Sequence, residues 1–308
     1  MPVAAIDIGT NTVLLLVAER DAAGELVALE ERATITRLGE GVDKTRTLAP
    51  AAIERTNAAI DRYAEIVERL GVGRVDVVGT SAMRDAGGGE AVRAHVKAKL
   101  GVEARTISGD EEARLTFAGA LSGIPSVGAA APVRVYDIGG GSTEVVHGQR
   151  GRSEVLFARS YDVGSVRLTE RHVHSDPPTA DELAAVRADA RAAFASVPAF
   201  ESDVPPVGIA GTMTTLAAVS LKMQTYDGAR VHGLALPVSE IERVVAELAR
   251  LPLAERSAVP GLEPKRADVI VAGGLITLAY LEHVGAREVM ISDRGVRWGL
   301  AEELARTP

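Results

Sequence analysis

The apolar residues near the N-terminus fall into short, nearly continuous runs. Residues 3–6 and 13–18 are almost purely apolar, as in buried strands, and residues 26–29 form a third run after a turn. From position 51 the spacing becomes helical, with Ile53, Ile60 and Val67 on one face and Gly71 at the end. The pattern therefore predicts a meander of three strands followed by a helix.

Strands and helices alternate along the rest of the chain, and the second half repeats the plan of the first. The predicted elements are a strand at 75–79, a helix at 90–100, a short strand at 105–107, a helix from Ser108, a hairpin at 133–147, a strand at 155–159, a helix at 181–194, a strand at 207–209, a helix from Gly211 and a buried helix at 269–281. This alternation predicts an α/β protein with mixed sheets. Small residues and prolines between 123 and 132 indicate the boundary of two domains, 1–125 and 126–308, with the last helix able to pack back on the first domain.

One turn occurs twice. Asp-Ile-Gly followed by Thr or Ser begins at Asp7 and again at Asp137, each time after an apolar strand and before another strand. The tip of such a hairpin presents backbone N–H groups and small hydroxyls, which bind phosphate, and the leading aspartate can hold a divalent cation. One copy alone could be a simple turn, but duplication favours phosphate binding by Gly9, Thr10, Asn11, Thr12, Gly139, Gly140, Gly141, Ser142 and Thr143.

A third candidate turn, Gly211-Thr212, stands at a predicted helix N-terminus, where free N–H groups and the helix dipole favour an anion. The alternative is an ordinary threonine cap. Arg84 follows the segment 79–83, and Lys265 and Arg266 precede the last apolar helix. Each can bind phosphate oxygens or be a plain surface charge.

The acidic residues after Ser108 differ in their expected tasks. Ser108 and Glu111 have the spacing of a capping box, which gives Glu111 a structural role. Glu112 has no such role, and we weigh a water-activating base against a solvated acid in the first helical turn. Glu144 follows the second turn, so Glu112 and Glu144 could bracket one water.

Composition narrows the class of protein. The 308 residues suggest two domains, and 46% hydrophobic with 25% charged residues describes a folded protein. A net charge of −8 argues against a nucleic-acid or membrane-surface binder. The chain has no cysteine, no signal peptide and no apolar run long enough to span a bilayer, so we expect a cytoplasmic location. His172 and His174 resemble a metal pair but lack a third ligand nearby.

Several blocks of this sequence, in order over nearly its whole length, resemble the exopolyphosphatase/guanosine pentaphosphate phosphohydrolase (Ppx/GppA) family. They are residues 5–12, 80–84, 107–114, 137–144, 211–212, 231–233, 266–268 and 292–297. The resemblance implies two related actin-like ATPase (ribonuclease H-like) domains around a central cleft. It implies Mg²⁺, with K⁺ as a candidate second cation, and release of terminal phosphate.

By the same resemblance, Glu112 is the catalytic base, with Glu144 as partner carboxylate. Arg84 is placed at the transferred phosphate from its position after the segment 79–83. The resemblance also places Asp137 at the metal, and the duplicated turn adds Asp7 as a second candidate there. A homodimer is a candidate assembly. Long members of the family carry further C-terminal domains, whereas this chain ends soon after the last shared motif.

We therefore expect an exopolyphosphatase that favours short to medium polyphosphate chains. Guanosine pentaphosphate hydrolysis is the alternative within the family. A kinase of the same fold and a phosphate or alarmone sensor are alternatives of other classes.

Overall fold

The computed structural model describes residues 1–22, 24, 26–124, 128, 130–150 and 155–306. The chain forms two compact units, Ala120–Gly295 and a first unit that combines Met1–Gly119 with Val296–Pro308. The boundary expected between residues 125 and 126 lies outside the described residues. The C-terminal helix, given to the second domain in the predicted division, belongs to the first unit.

The first unit contains a five-stranded mixed sheet with the strand order β3-β2-β1-β4-β5. Its first three strands form the predicted antiparallel meander, and β4 and β5 continue the sheet in parallel with β1. The strands are β1 (Val3–Ile8), β2 (Thr12–Arg20), β3 (Leu26–Ile35), β4 (Arg74–Gly79) and β5 (Ala104–Thr106). The helices are α1 (Val42–Thr45), α2 (Pro50–Arg69), α3 (Ser81–Asp85), α4 (Gly89–Leu100), α5 (Gly109–Ala120) and, from the end of the chain, α13 (Val296–Arg306).

Strand β1 is buried on both faces, which explains its continuous apolar sequence. Ala4 and Ile6 belong to the core on the side of α2 and α4, whereas Val3 and Ala5 belong to a second cluster with Trp298 of α13. Alternate residues of a strand point to opposite faces, so helices cover both sides of this sheet.

The second unit contains a six-stranded mixed sheet with the order β10-β11-β9-β6-β7-β8. The strands are β6 (Pro132–Ile138), β7 (Thr143–Gln149), β8 (Val155–Tyr161), β9 (Val207–Ile209), β10 (Ala235–Pro237) and β11 (Glu288–Ile291). The helices are α6 (Ser165–His172), α7 (Ala180–Phe194), α8 (Ala210–Ser220), α9 (Gly228–Val231), α10 (Val238–Arg250), α11 (Leu253–Arg256) and α12 (Ile270–His283), with a 3-10 turn at Pro264–Arg266.

Five strands of the second sheet, in the order β8-β7-β6-β9-β11, repeat the arrangement β3-β2-β1-β4-β5 of the first. In each unit an antiparallel meander is followed by two parallel strands reached through helices. The predicted fold class, two related α/β domains with mixed sheets, is confirmed.

The core of the second unit surrounds α12, which is buried over nearly its whole length. Tyr280 of this helix packs with its ring centroid 4.5 Å from Tyr136 on β6 and 5.4 Å from Phe194 on α7. Among the described residues, no helix is both long enough and apolar enough to cross a membrane.

Candidate active site

The first hairpin joins β1 to β2 through Gly9, Thr10 and Asn11. The Gly9 amide donates to the Thr12 carbonyl at 3.1 Å and closes the turn. The Thr10 carbonyl accepts from the Gly39 amide at 2.8 Å, and the Asn11 carbonyl accepts from the amides that follow β3. A Cβ on Gly39 would stand 2.2 Å from the Thr10 side chain, so only glycine allows this approach.

These contacts determine which groups of the first hairpin are available to a ligand. Thr10 and Asn11 are buried, 8% and 7% exposed. Their carbonyls have partners, but their amides find no acceptor within the described part of the chain. Because buried N–H groups are almost always paired, two such amides at one turn indicate a place for an anion.

Arg84 and Glu112 lie at the same edge of the first sheet as this hairpin. Strands β1, β4 and β5 are parallel, and their carboxyl ends lead to the hairpin, to α3 with Arg84 and to α5 with Glu112, respectively. This edge is where ligands bind in open α/β sheets. Arg84 donates from Nη1 to Glu112 Oε2 at 3.0 Å and to the Ile107 carbonyl at 3.1 Å.

Glu112 is 6% exposed, so its carboxylate is held as a charge-paired group rather than a solvated one. The reading of Glu112 as a solvated first-turn acid is thus wrong. Pairing with a guanidinium stabilises the ionised carboxylate, which is the form that can accept a proton.

The capping box predicted for α5 is half formed. The Ser108 hydroxyl accepts from the Glu111 amide at 3.1 Å, as expected. The Glu111 carboxylate instead accepts from Arg105 at 2.5 Å, and Arg105 also contacts Asp76. An available guanidinium offers a stronger, charge-assisted bond than a backbone amide, so the reciprocal bond is replaced. Glu111 keeps a structural role, although a different one.

The second hairpin joins β6 to β7 through Gly139, Gly140, Gly141 and Ser142. The Gly139 amide donates to the Ser142 carbonyl at 3.0 Å, as Gly9 does to Thr12 in the first hairpin. Gly140, Gly141 and Ser142 are buried, and their amides have no acceptor among the residues that the structure describes. The hydroxyl of Thr143 donates to the Val163 carbonyl at 2.6 Å, so this hydroxyl holds the hairpin.

A carboxylate pair follows from the register of the second hairpin. Asp137 on β6 lies directly opposite Glu144 on β7, so both side chains project from one face of the sheet. Glu144 is 1% exposed and accepts from the Ser160 hydroxyl at 2.7 Å. In the first unit the partner of Asp7 is Leu14, so the repeat has two facing carboxylates only in its second copy.

The third predicted turn lies at the start of α8, where β9 ends. The Thr212 hydroxyl donates to the Ile138 carbonyl at 3.3 Å and ties α8 to the second hairpin. Gly211 contacts Arg266 so closely that a Cβ would stand 1.8 Å from the guanidinium Nη1. The structure thus brings Arg266 to the N-terminus of α8, and burial lowers the pKa of this guanidinium without removing its charge.

Other predicted candidates lie elsewhere. Lys265 is exposed. His172 bonds through Nε2 to Asp189 at 2.7 Å, and no cluster of three metal-binding side chains occurs within the ranges described. Sequence reasoning missed Ser160, which contacts Glu144, and the whole of α6, which supports the second hairpin.

Duplicated α/β units, each with a hairpin at the carboxyl edge of its sheet, define an α/β protein of two related domains. The chain belongs to the Ppx/GppA phosphatase family, whose model matches residues 16–307.

The chain is 40% identical to Exopolyphosphatase 2 of Mycobacterium tuberculosis, covering 98% of both chains. A solved Ppx/GppA enzyme of Aquifex aeolicus is 34% identical, with a TM-score of 0.82 over 98% of this chain and 99% of that one. The guanosine-5'-triphosphate,3'-diphosphate pyrophosphatase of Photobacterium profundum is 26% identical over 98% of this chain and 59% of its own length.

Proposed function

We propose that this protein is an exopolyphosphatase, which hydrolyses the terminal phosphoanhydride bond of inorganic polyphosphate. The observation that carries the proposal is the set of backbone amides at 10–11 and 140–142, which belong to buried residues and lack acceptors in the described ranges. Membership of the Ppx/GppA phosphatase family and 40% identity to a protein named Exopolyphosphatase 2 support it.

Glu112 is proposed as the general base. Its carboxylate takes a proton from the water that attacks the terminal phosphorus, and the P–O bond to the next phosphate breaks. Arg84 orients the Glu112 carboxylate through the 3.0 Å bond. General-base catalysis contributes about 10²–10⁴-fold.

The amides of each hairpin, taken within its own unit, are proposed to bind phosphate oxygens. In a loose phosphoryl-transfer transition state, charge spreads over the oxygens of the transferred group, and fixed N–H donors stabilise it without reorganising. Arg266 beside Gly211 adds a positive charge. The leaving group is a stable phosphate anion, so no strong general acid is needed.

Mg²⁺ is the proposed cofactor, and the residues fit it. Facing carboxylates at Asp137 and Glu144 would repel one another unless a cation lies between or beside them. Mg²⁺ characteristically uses one or two carboxylates, waters and substrate phosphates, so a third acidic ligand is not required. When bound, the ion would neutralise phosphate charge. Asp7, opposite Leu14, is the weaker candidate.

Guanosine pentaphosphate is the second candidate substrate. The Photobacterium profundum relative is named for a guanosine nucleotide. Tyr226 is 52% exposed and interacts electrostatically with Arg266. An exposed aromatic ring beside a phosphate-binding arginine could stack on guanine.

The deciding experiment compares kcat/KM for short polyphosphate, long polyphosphate and guanosine pentaphosphate at equal Mg²⁺, with wild type and Tyr226→Ala. We expect short polyphosphate to be preferred and the variant to be unchanged on it. A tenfold preference for the nucleotide, about 1.4 kcal/mol, that is lost in Tyr226→Ala would replace the proposal by the nucleotide function. Absence of phosphate release from every substrate would favour a sensor.

The homodimer, the K⁺ ion and the cytoplasmic location stay predictions. Size-exclusion chromatography with light scattering, the K⁺ dependence of the rate and cell fractionation would test them.

A further inference from the structure

The backbone amides in the first turn of α6 donate hydrogen bonds to carbonyl groups of the second hairpin. The Ser165 amide donates to the Gly139 carbonyl at 2.9 Å, and the Val166 and Arg167 amides donate to the Gly140 carbonyl at 2.9 and 3.0 Å. These are the groups that a helix N-terminus ordinarily offers to a cap or an anion. Here they are used to hold the hairpin, so α6 is not itself an anion site.

The next carbonyl of the hairpin is held by a side chain. Arg167 donates from Nε to the Gly141 carbonyl at 2.6 Å. The start of α6 can approach the hairpin this closely because residue 164 is glycine. A Cβ at this position would stand 2.4 Å from the Gly140 carbonyl oxygen. Three consecutive carbonyls, those of Gly139, Gly140 and Gly141, therefore face α6.

The direction of these carbonyls determines the direction of the hairpin amides. In a trans peptide the C=O of one residue and the N–H of the next point to opposite sides. The carbonyls of residues 139, 140 and 141 point toward α6. The amides of residues 140, 141 and 142 therefore point away from it. These are the three amides without an acceptor among the residues described. The bond from Arg167 thus orients the Ser142 amide.

The position of Arg167 is unfavourable for the helix itself. A cation in the first helical turn opposes the helix dipole, and the carboxylate that pairs with it, that of Asp162 at 4.0 Å, lies before α6 and is exposed. The side chain is only 8% exposed, so its charge is also largely removed from water. An arginine at this place is explained by what it does for the hairpin and not by helix stability.

In the first unit, no charged side chain among the described residues donates to the hairpin carbonyls of Thr10 and Asn11. The Thr10 and Asn11 carbonyls accept only backbone amides in the described part of this unit, those of Gly39, Thr36 and Arg37. Gly39 and Gly164 have the same task in the two repeats, since each lets the following segment approach a hairpin. The guanidinium is an addition of the second repeat, where the carboxylate pair Asp137 and Glu144 also lies.

We propose that Arg167 is a positioning residue of the second hairpin, which fixes the Gly141–Ser142 peptide so that the Ser142 amide is directed at a bound phosphate. The inference rests on the proposed function, because it takes a phosphoryl oxygen as the acceptor. Arg167→Met removes the bond, and Arg167→Lys keeps the charge without the planar Nε donor.

The matched control is Arg134→Met in the same unit. Arg134 is also buried and also donates to carbonyls, those of Val284 and Ser202. It is the third residue of β6 and lies toward the end of the strand far from the hairpin. We expect both Met variants to lower Tm, but only Arg167→Met to change phosphate handling.

Two measurements are made at saturating Mg²⁺: KM and kcat for tripolyphosphate, and the rise in Tm with inorganic phosphate. For Arg167→Met we expect kcat/KM to fall at least tenfold. The phosphate affinity obtained from the rise in Tm should fall by a similar factor. Arg167→Lys should recover part of both, and Arg134→Met should equal wild type in both. If Arg167→Met does not fold, Arg167→Lys alone must show the kinetic loss.

Kinetic constants and phosphate affinity of Arg167→Met within twofold of wild type would overturn the inference, and so would an equal kinetic loss in Arg134→Met. Failure of the proposed function is distinguishable. A wild type that releases no phosphate from tripolyphosphate but gains Tm with inorganic phosphate, in a manner dependent on Arg167, refutes the hydrolase and supports the positioning role. A wild type that does not respond to phosphate refutes the positioning role.

Discussion

Replacement of Glu112 by Gln tests the chemistry most directly. The substitution keeps the shape and an oxygen that can accept from Arg84, but it removes the basic carboxylate. Loss of a general base should lower kcat by at least about 10²-fold, which is about 2.7 kcal/mol of barrier. KM should change little, because Glu112 is proposed to act on water rather than on substrate.

The expected cost in stability is much smaller. A hydrogen bond between two charged groups is worth about 1 kcal/mol more than one with a neutral partner, so Tm should fall by only a few degrees. The matched control is Glu111→Gln, whose carboxylate contacts Arg105 at 2.5 Å and is 32% exposed. Glu111→Gln should lower Tm by a similar amount to Glu112→Gln and keep the wild-type rate of phosphate release.

The assay is release of inorganic phosphate from tripolyphosphate at saturating Mg²⁺, with Tm recorded for each variant. More than about a tenth of the wild-type rate in Glu112→Gln would refute the assignment of the base, since general bases contribute at least about 10²-fold. Equal losses in the two variants would show that the effect comes from the start of α5 and not from Glu112 itself.

Three further predictions concern the second unit. Asp137→Asn should raise the Mg²⁺ concentration needed for half-maximal rate, and an unchanged Mg²⁺ titration would contradict the metal assignment. Gly164→Ala should lower the free energy of unfolding by about 1–3 kcal/mol and weaken phosphate affinity, because the new Cβ would meet backbone at 2.4 Å. The control is Gly128→Ala, where a Cβ meets nothing within 4 Å, and it should leave denaturant unfolding unchanged. Burial lowers the pKa of His147 to about 4, so the folded protein favours the neutral imidazole. The contribution of His147 to the free energy of unfolding is therefore complete above about pH 6.5. It falls by at most about 3 kcal/mol as the pH decreases toward 4. His147→Leu should flatten this pH dependence of unfolding, and an unchanged profile would assign it to other groups.

Strands, helices and the duplicated hairpins could be predicted because each is encoded locally. The apolar run at the start of the chain becomes β1, and the helical spacing up to Val67 becomes α2. Asp137 and Glu144 face each other for the same reason, since a short turn fixes the hairpin register.

Features that depend on a distant partner could not be read in this way. The S-x-x-E spacing at Ser108 predicts a capping box, but Arg105 takes the Glu111 carboxylate because β5 places its guanidinium there. Thr143 looks like a phosphate ligand, yet its hydroxyl is used by the Val163 carbonyl twenty residues later. Helix α6 is eight residues long, too short for periodicity to reveal, and its role appears only in its bonds to the hairpin.

The two repeats share a fold but differ around their hairpins. They differ in the residue opposite the aspartate that begins each turn and in the groups that donate to the hairpin carbonyls. In the first unit Asp7 faces Leu14, and within its described residues the Thr10 and Asn11 carbonyls accept backbone amides. In the second, Asp137 faces Glu144, and Arg167 holds a carbonyl of the turn. A carboxylate pair attracts a cation, and an oriented row of amides attracts an anion. We therefore propose that the second repeat binds a cation together with a phosphate, whereas the first combines its hairpin with Glu112 of α5. If this division holds, Asp7→Asn should affect Mg²⁺ dependence less than Asp137→Asn does.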